Sequence, residues 1–386
     1  MKGSSDEKPS LSAFNAKVIG REGGIVKANV GEPHRPVPVF LRKAVREALK
    51  IESSGYYASV YGIPGFCTAL AAFIKDFYGL EYAEGEILPT CGAREALSLA
   101  LEKLFYPGDE LIATSLEWPS YEAMADKNHL RLVRVDVPED FSYPLQGIED
   151  AITPRTKAII INSPHNPTGR ILSQEEMESL AEIAIQYKLL IISDEVYNGV
   201  NTDGFLRSIA GIAGMKERIL YINSFSKIFA IPGWRMGYVC GPADLIRIMA
   251  SEKADYNGNK DTLPQYAIKI ALEGYRPQIA AFIDENNASY RKNTEYVCRE
   301  FEKLGIGLVY PKGAFYVFFR IPPMVGMDSE EFADKLLEAG VAIAPGIVFG
   351  KEWNGYMRLC IALKQKEIRL IVKKIRENIK GSDRND

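Results

Sequence analysis

Cysteine and histidine are scarce in this chain: among 386 residues there are five of the first and three of the second. Cys67, Cys91, Cys240, Cys298 and Cys360 are scattered, odd in number and without paired spacing. They write no disulfide framework, and the expectation is reduced thiols in a cytoplasmic protein. With only His34, His129 and His165 available, no metal cluster is expected. No apolar stretch approaches the roughly 20 residues of a membrane-spanning helix, and Met1 to Lys17 is polar, without the apolar core of a signal segment. The 47 basic and 50 acidic residues leave a net charge of −3, with neither a basic stripe for nucleic acid nor an acidic tail. Repeats and low-complexity tracts are absent as well. What remains is length and apolar content: 386 residues, 47% hydrophobic, can bury a large core and suit two domains better than one.

Strand and helix patterns alternate through most of that length. Residues 1 to about 30 read as a flexible arm, followed by an amphipathic helix around Pro38 to Leu49. Apolar strands are expected near Glu110 to Ala113, Leu132 to Val135, Ala158 to Ile161, Leu189 to Ser193, Ile219 to Asn223 and Gly237 to Cys240, each separated from the next by a helical pattern or a turn. Such alternation specifies an α/β fold with a mostly parallel sheet and helices on both faces. After Pro277 a long helical pattern, Gln278 to Leu304, leads into a smaller α+β part. There Phe315 to Phe319 and Met357 to Ile361 read as strands, and Ser329 to Leu337 and Gln365 to Ile379 as helices.

Three expected strands end in polar groups that carry chemistry. Ile219-Leu220-Tyr221-Ile222 runs into Ser224-Phe225-Ser226-Lys227, and Arg235 follows between Gly233 and Gly237. Two hydroxyls, an amine and a guanidinium at the end of a buried strand can hold a phosphate while the amine attacks an aldehyde carbon. An ordinary surface lysine after a strand is the plainer reading of this motif alone. Asp194 ends Leu189-Leu190-Ile191-Ile192-Ser193; a buried carboxylate there needs a cation, such as a protonated pyridine nitrogen, unless it simply caps a helix. Lys157 to Ile161 leads into Asn162-Ser163-Pro164-His165-Asn166-Pro167-Thr168-Gly169, a turn in which Asn166 can donate an amide hydrogen.

Asn166-Pro167-Thr168-Gly169, Asp194-Glu195-Val196-Tyr197 and Ser224-Phe225-Ser226-Lys227 with Arg235 resemble the signature series of the fold-type I, class I/II aminotransferases, from Gly31-Glu32-Pro33 to Arg358. The resemblance implies pyridoxal 5'-phosphate as cofactor. It divides the chain into an arm, 1–35, contributing to the small domain; a large cofactor-binding domain, 36–275; and a C-terminal small domain, 276–386. By resemblance Lys227 bonds covalently to the cofactor aldehyde, Asp194 pairs with the pyridine nitrogen, and Asn166 and Tyr197 donate to the ring hydroxyl oxygen. Ser224, Ser226 and Arg235 would hold the phosphate, together with Gly92, Ala93 and Arg94 at the start of an apolar helix pattern, where free backbone amides favour anions. Trp118 stands where the family stacks an aromatic residue on the ring. Tyr57 matches the tyrosine that reaches the partner subunit's phosphate, which implies a homodimer with shared sites. Arg358 matches the clamp on the substrate α-carboxylate, with Gly31 offering a backbone amide to the same group; a structural salt bridge is the alternative for Arg358.

The family's reaction moves an amino group between an L-amino acid and a 2-oxo acid, with Lys227 as the general base at the substrate's α-carbon. Arg94 points to an acidic side chain on that substrate, as in aspartate, glutamate or 2-oxoglutarate; Arg35, Ser59, Asn257 and Phe315 are further expected neighbours. Aromatic or other neutral amino acids, and β-lyase chemistry on the same scaffold, are the alternatives, since one fold hosts several reactions. A non-enzymatic binding module is a distant third: the Gly31 segment comes within the first few dozen residues, and no basic recognition helix stands before it.

Overall fold

The structure, a computed structural model, describes residues 10–21, 24–201, 208–256 and 261–380. Asn257 lies outside them. Seven strands make the central sheet, in spatial order Ile87–Thr90, Gly237–Cys240, Ile219–Ser224, Leu190–Asp194, Thr156–Asn162, Glu110–Thr114 and Arg131–Val135. All run the same way except Gly237–Cys240, which is antiparallel to both neighbours. The expected strands are present to within a residue or two; the β-branched runs at the centre are covered on both faces, whereas Arg131–Val135 is a partly exposed edge. Ile159 and Ile161 pack with Leu180 and Ala184 of the helix Gln174–Gln186, whereas Ile160 joins Leu97, Ala100 and Met249 on the opposite layer. Ile87–Thr90 was not expected: it is short and contains Pro89, which only an edge position tolerates.

The C-terminal part is α+β. The helix Arg276–Glu302 enters it, and the antiparallel strands Ala344–Pro345, Tyr356–Cys360 and Tyr316–Arg320 form its sheet. Two further helices cover that sheet. Ser329–Glu338 starts on a capping box between Asp328 and Glu331, which satisfies amides that the first turn leaves unbonded, and Gln365–Lys380 follows the last strand.

One expectation needs correction here. The described part of the arm is ordered against the C-terminal core rather than loose. Ser10 caps a helix over Leu11–Ile19, and its buried residues Phe14 and Val18, one turn apart, enter the same cluster as Phe332, Leu336 and Ile371. Val26–Lys27 then pairs in parallel with Val341–Ala342. The arm's few apolar positions are too widely set for a strong periodic signal, yet two fall on one helix face.

Sheet register creates the site. Asn162 lies opposite Asp194, and Gly237 lies opposite both Ser224 and Thr90, so four strand ends and one strand start share an edge. In open α/β sheets this carboxyl edge is where ligands bind.

Candidate active site

A cavity of about 290 Å³ opens at that edge, lined by Lys227, Asp194, Asn166, Tyr197, Ser224, Ser226, Arg235, Ala93, Arg94, Trp118, Gly31 and Arg358. Three parts of the chain supply these groups: the sheet edge, the strand Tyr356–Cys360 and the arm. Leu11, Asn162 and Tyr316 add to the lining.

Asp194 is buried at the end of its strand and heads a turn rather than a helix, so it is not a helix cap. Its Oδ2 accepts a hydrogen bond of 2.7 Å from Tyr121, while its Oδ1 has no hydrogen-bond partner among the described residues. Burial pushes the carboxyl up to about 6, against the Tyr121 bond that lowers it. A donor placed at Oδ1 would complete the carboxylate. The next residue, Glu195, is also buried, but Ser193, Asn198 and Ser208 fill its acceptor sites, which marks it as structural.

Lys227 occupies the short helical turn Phe225–Ile228 after the strand Ile219–Ser224. Its Nζ donates to the Gly31 carbonyl at 2.5 Å and stands 5.7 Å from the Tyr197 ring and 5.9 Å from that of Phe315. Burial lowers its pKa to about 8; Cys360 opposes the change and Arg358 adds to it. At neutral pH far more of this amine is unprotonated than in a solvated lysine.

The anion-binding end is built from backbone as much as from side chains. The helix Ala93–Lys103 begins at Gly92, in the left-handed region at φ 74°, with no side-chain cap on its first turn. A Cβ at Gly92 would fall 2.6 Å from Arg235 Nη2, and one at Gly237 would fall 2.6 Å from Gly92 itself. Both glycines therefore let a guanidinium and a helix start converge. Ser224 Oγ accepts from the Ser226 amide and bonds Ser226 Oγ at 2.9 Å, so the two hydroxyls are adjacent. Arg94 lies 4.7 Å over the Trp118 ring and donates to Ser120 at 3.1 Å. Burial, then the Arg235 charge, depresses its pKa. No carboxylate pairs with either guanidinium among the described residues.

Arg358 is 2% exposed, and no salt bridge is formed by it among the described residues. Its Nη1 donates to Asn166 Oδ1 at 2.9 Å and its Nη2 to the Asn29 carbonyl at 2.5 Å; Nε has no partner. The guanidinium lies over the Tyr316 ring at 4.5 Å and over the Phe349 ring at 5.1 Å. A buried, flat, unneutralised cation of this kind suits a planar carboxylate. Because Asn166 Oδ1 is engaged by Arg358, the amide Nδ2 is the end left to donate to a ligand.

Some expected neighbours lie elsewhere. Tyr57 is 98% exposed and lines a separate surface depression with Tyr56, Ser59 and Tyr61. Arg35 pairs with Glu285 at 3.5 Å, outside the cavity lining. Sequence reasoning gave no role to Tyr121 and Tyr316, both buried at the site; each sits inside an apolar pattern that reads as core, and no local signal separates them from it. Among the described residues no cluster of metal-ligating side chains is present, and no helix is long and apolar enough to cross a membrane.

Comparison with known proteins agrees with this geometry. The family model for aminotransferase class I and II matches residues 24–375. The aspartate/prephenate aminotransferase of Thermus thermophilus is 35% identical over 368 residues, covering 94% of each chain. The aromatic-amino-acid aminotransferase 2 of Thermococcus litoralis is 32% identical, covering 89% of each. Among solved structures, the Thermus thermophilus aspartate aminotransferase with maleate superimposes with a TM-score of 0.90 at 32% identity, over 98% of this chain and 100% of that one. The aromatic aminotransferase from Pyrococcus horikoshii gives a TM-score of 0.88 at 30% identity, over 97% of this chain and 100% of that one. With the matched segment running from the end of the arm through the sheet and the C-terminal part, this chain belongs to the class I and II aminotransferases.

Proposed function

We propose that this aminotransferase uses the cavity around Lys227 to exchange an amino group between an acidic L-amino acid and a 2-oxo acid, as a cytoplasmic homodimer. Class I and II aminotransferases of this kind use pyridoxal 5'-phosphate, and the residues present fit it. The unpartnered Asp194 Oδ1 suits a protonated ring nitrogen, and the Gly92 and Gly237 cradle with Arg235 suits its phosphate. The observation that carries the reading is that Lys227, Asp194 and Arg358, distant in sequence, line one cavity.

When bound, the cofactor supplies an aldehyde carbon that takes up amines and a ring that accepts electron density from the substrate's α-carbon. Asp194 stabilises positive charge on the ring nitrogen from a buried position where that charge interacts strongly. Tyr197 and Asn166 Nδ2 would donate to the ring oxygen, Ser224, Ser226, Gly92, Ala93 and Arg235 would hold the phosphate, and Trp118 would offer its face to the ring. Arg358, with its unpartnered Nε, receives the substrate α-carboxylate beside Gly31. Lys227, with its depressed pKa, takes the proton from the α-carbon and returns it.

Arg94 supports the acidic substrate: it is a solvent-exposed guanidinium on the cavity lining beside Trp118, without a carboxylate of its own among the described residues. Phenylalanine or tyrosine is the second reading, because one relative is named for aromatic amino acids. The exposed Tyr57, far from this chain's own cavity, supports donation to a second subunit, and five free cysteines support a reducing compartment. The division at 1–35, 36–275 and 276–386 belongs to the same reading; it is supported by the separate C-terminal core that includes Phe14 and Val18.

A panel of amino donors with 2-oxoglutarate tests the assignment. With 2-oxoglutarate as acceptor, aspartate is expected to be the best donor, giving its 2-oxo acid and glutamate; without an acceptor, aspartate and glutamate are both expected to convert the cofactor to pyridoxamine phosphate. Arg94→Ala is expected to raise KM for aspartate about tenfold, the scale of one charged hydrogen bond, while the KM for alanine changes less than about twofold. Unaltered kinetics with aspartate would remove Arg94 from substrate recognition, and faster turnover of tyrosine would favour the aromatic reading. Release of pyruvate and ammonia would identify a lyase instead.

A further inference from the structure

Tyr316 touches both Tyr197 and Arg358 at the cavity, yet neither the motif pattern nor the reaction assigns it a role. It is 1% exposed, on the strand Tyr316–Arg320. One face of its ring carries the Arg358 guanidinium at 4.5 Å. Its hydroxyl lies 2.7 Å from the Tyr197 hydroxyl, and the two rings meet edge to face at 5.6 Å. A Cβ at Gly31 would stand 1.8 Å from the Tyr316 hydroxyl. The backbone of Gly31 is not left-handed, so its conformation does not call for glycine. The space for that hydroxyl does.

We infer that the Tyr316 hydroxyl is a positioning group: it donates to Tyr197 Oη and so commits the single Tyr197 proton to the ring oxygen of the bound cofactor. The inference rests on the cofactor assignment above. Two phenols 2.7 Å apart share one bond, so one donates and the other accepts. The guanidinium stacked on Tyr316 makes it the stronger donor. Burial holds both phenols above their usual range; the Arg358 charge opposes this at both, leaving Tyr316 at about 12 and Tyr197 well above 10. The other titratable groups facing the pair are Lys227, Asp194 and Cys360. A phenol that accepts a hydrogen bond is polarised into a better donor itself. Tyr316 thus strengthens the contact that stabilises negative charge on the ring oxygen, and Gly31 is glycine in order to leave it room.

The test is a pH titration of the visible absorption of the holoenzyme, with substrate KM measured in parallel. Tyr316→Phe keeps the ring under Arg358 and removes only the hydroxyl. It is expected to raise the pH midpoint of the visible band by about half a unit, the scale of one neutral hydrogen bond, with KM for the amino donor changed less than about twofold. Gly31→Ala, which displaces the hydroxyl, is expected to shift the midpoint the same way, and adding Tyr316→Phe to it should produce no further shift. A wild-type band that titrates, with the midpoint of Tyr316→Phe unmoved, would overturn this inference and leave the cofactor assignment standing. A wild type with no visible band after incubation with pyridoxal phosphate would overturn both.

Discussion

Asp194 shows how a single residue can be costly to the empty protein and useful to the loaded one. Its carboxyl rises from 3.8 to about 6 because it is buried with one oxygen unpartnered. At about 1.4 kcal/mol for each pH unit, that is roughly 3 kcal/mol of destabilisation. A folded-state pKa above the unfolded one means that this cost is absent below about pH 4 and complete above about pH 6. Asp194→Asn removes the buried charge and can still accept from Tyr121. We therefore predict that the cofactor-free Asp194→Asn protein melts at the same temperature as wild type or higher at pH 7.5, while its transamination rate falls by about a thousandfold. A lower melting point for the cofactor-free variant at that pH would contradict the electrostatic account.

The residues of the site differ in how visible they are in sequence, and the reason is physical. Asp194, Asn166 and Lys227 follow β-branched runs, and a charge or amide where burial should continue stands out against such a run. Tyr316 and Tyr121 sit within apolar patterns, where a phenol looks like any core aromatic. The Tyr316 hydroxyl acquires meaning only from Tyr197, 119 positions away. Arg358 is legible because a lone arginine in a strand pattern is anomalous, whereas its contacts with the Tyr316 and Phe349 rings are a product of tertiary packing.

Among elements, the arm gives the sharpest contrast between pattern and structure. The central strands of the sheet announce themselves because both of their faces are apolar; Ile87–Thr90 does not, being four residues long with a proline inside. The helix Leu11–Ile19 is anchored by Phe14, 5% exposed, and Val18, 2% exposed, and Leu11 reaches the cavity. Asn29, further along the arm, bonds Asn15 on this helix through its side chain and takes the Arg358 Nη2 bond on its carbonyl. The docked helix thus supports the carboxylate clamp from behind. Phe14→Ala should destabilise the C-terminal part by about 3 kcal/mol, as expected for a buried phenylalanine. The change is measurable as a lower urea midpoint for the first unfolding transition. A midpoint within error of wild type would mean that the helix does not dock in solution.

At the scale of the whole molecule, the cavity exists only because distant segments meet. The sheet edge brings Asn166, Asp194 and Lys227; the C-terminal sheet brings Arg358 and Tyr316; the arm brings Gly31 and Leu11. Agreement with the solved aminotransferases extends over nearly the whole chain, so this convergence belongs to the fold and not to one loop. The central claim is that the amine at the end of the strand Ile219–Ser224 is the one that engages the cofactor. Incubation with pyridoxal phosphate, reduction with borohydride and peptide mapping by mass spectrometry test it directly. The expected result is a single stoichiometric label on Lys227, absent from Lys227→Ala. Label on another lysine, or none at all, would contradict the account.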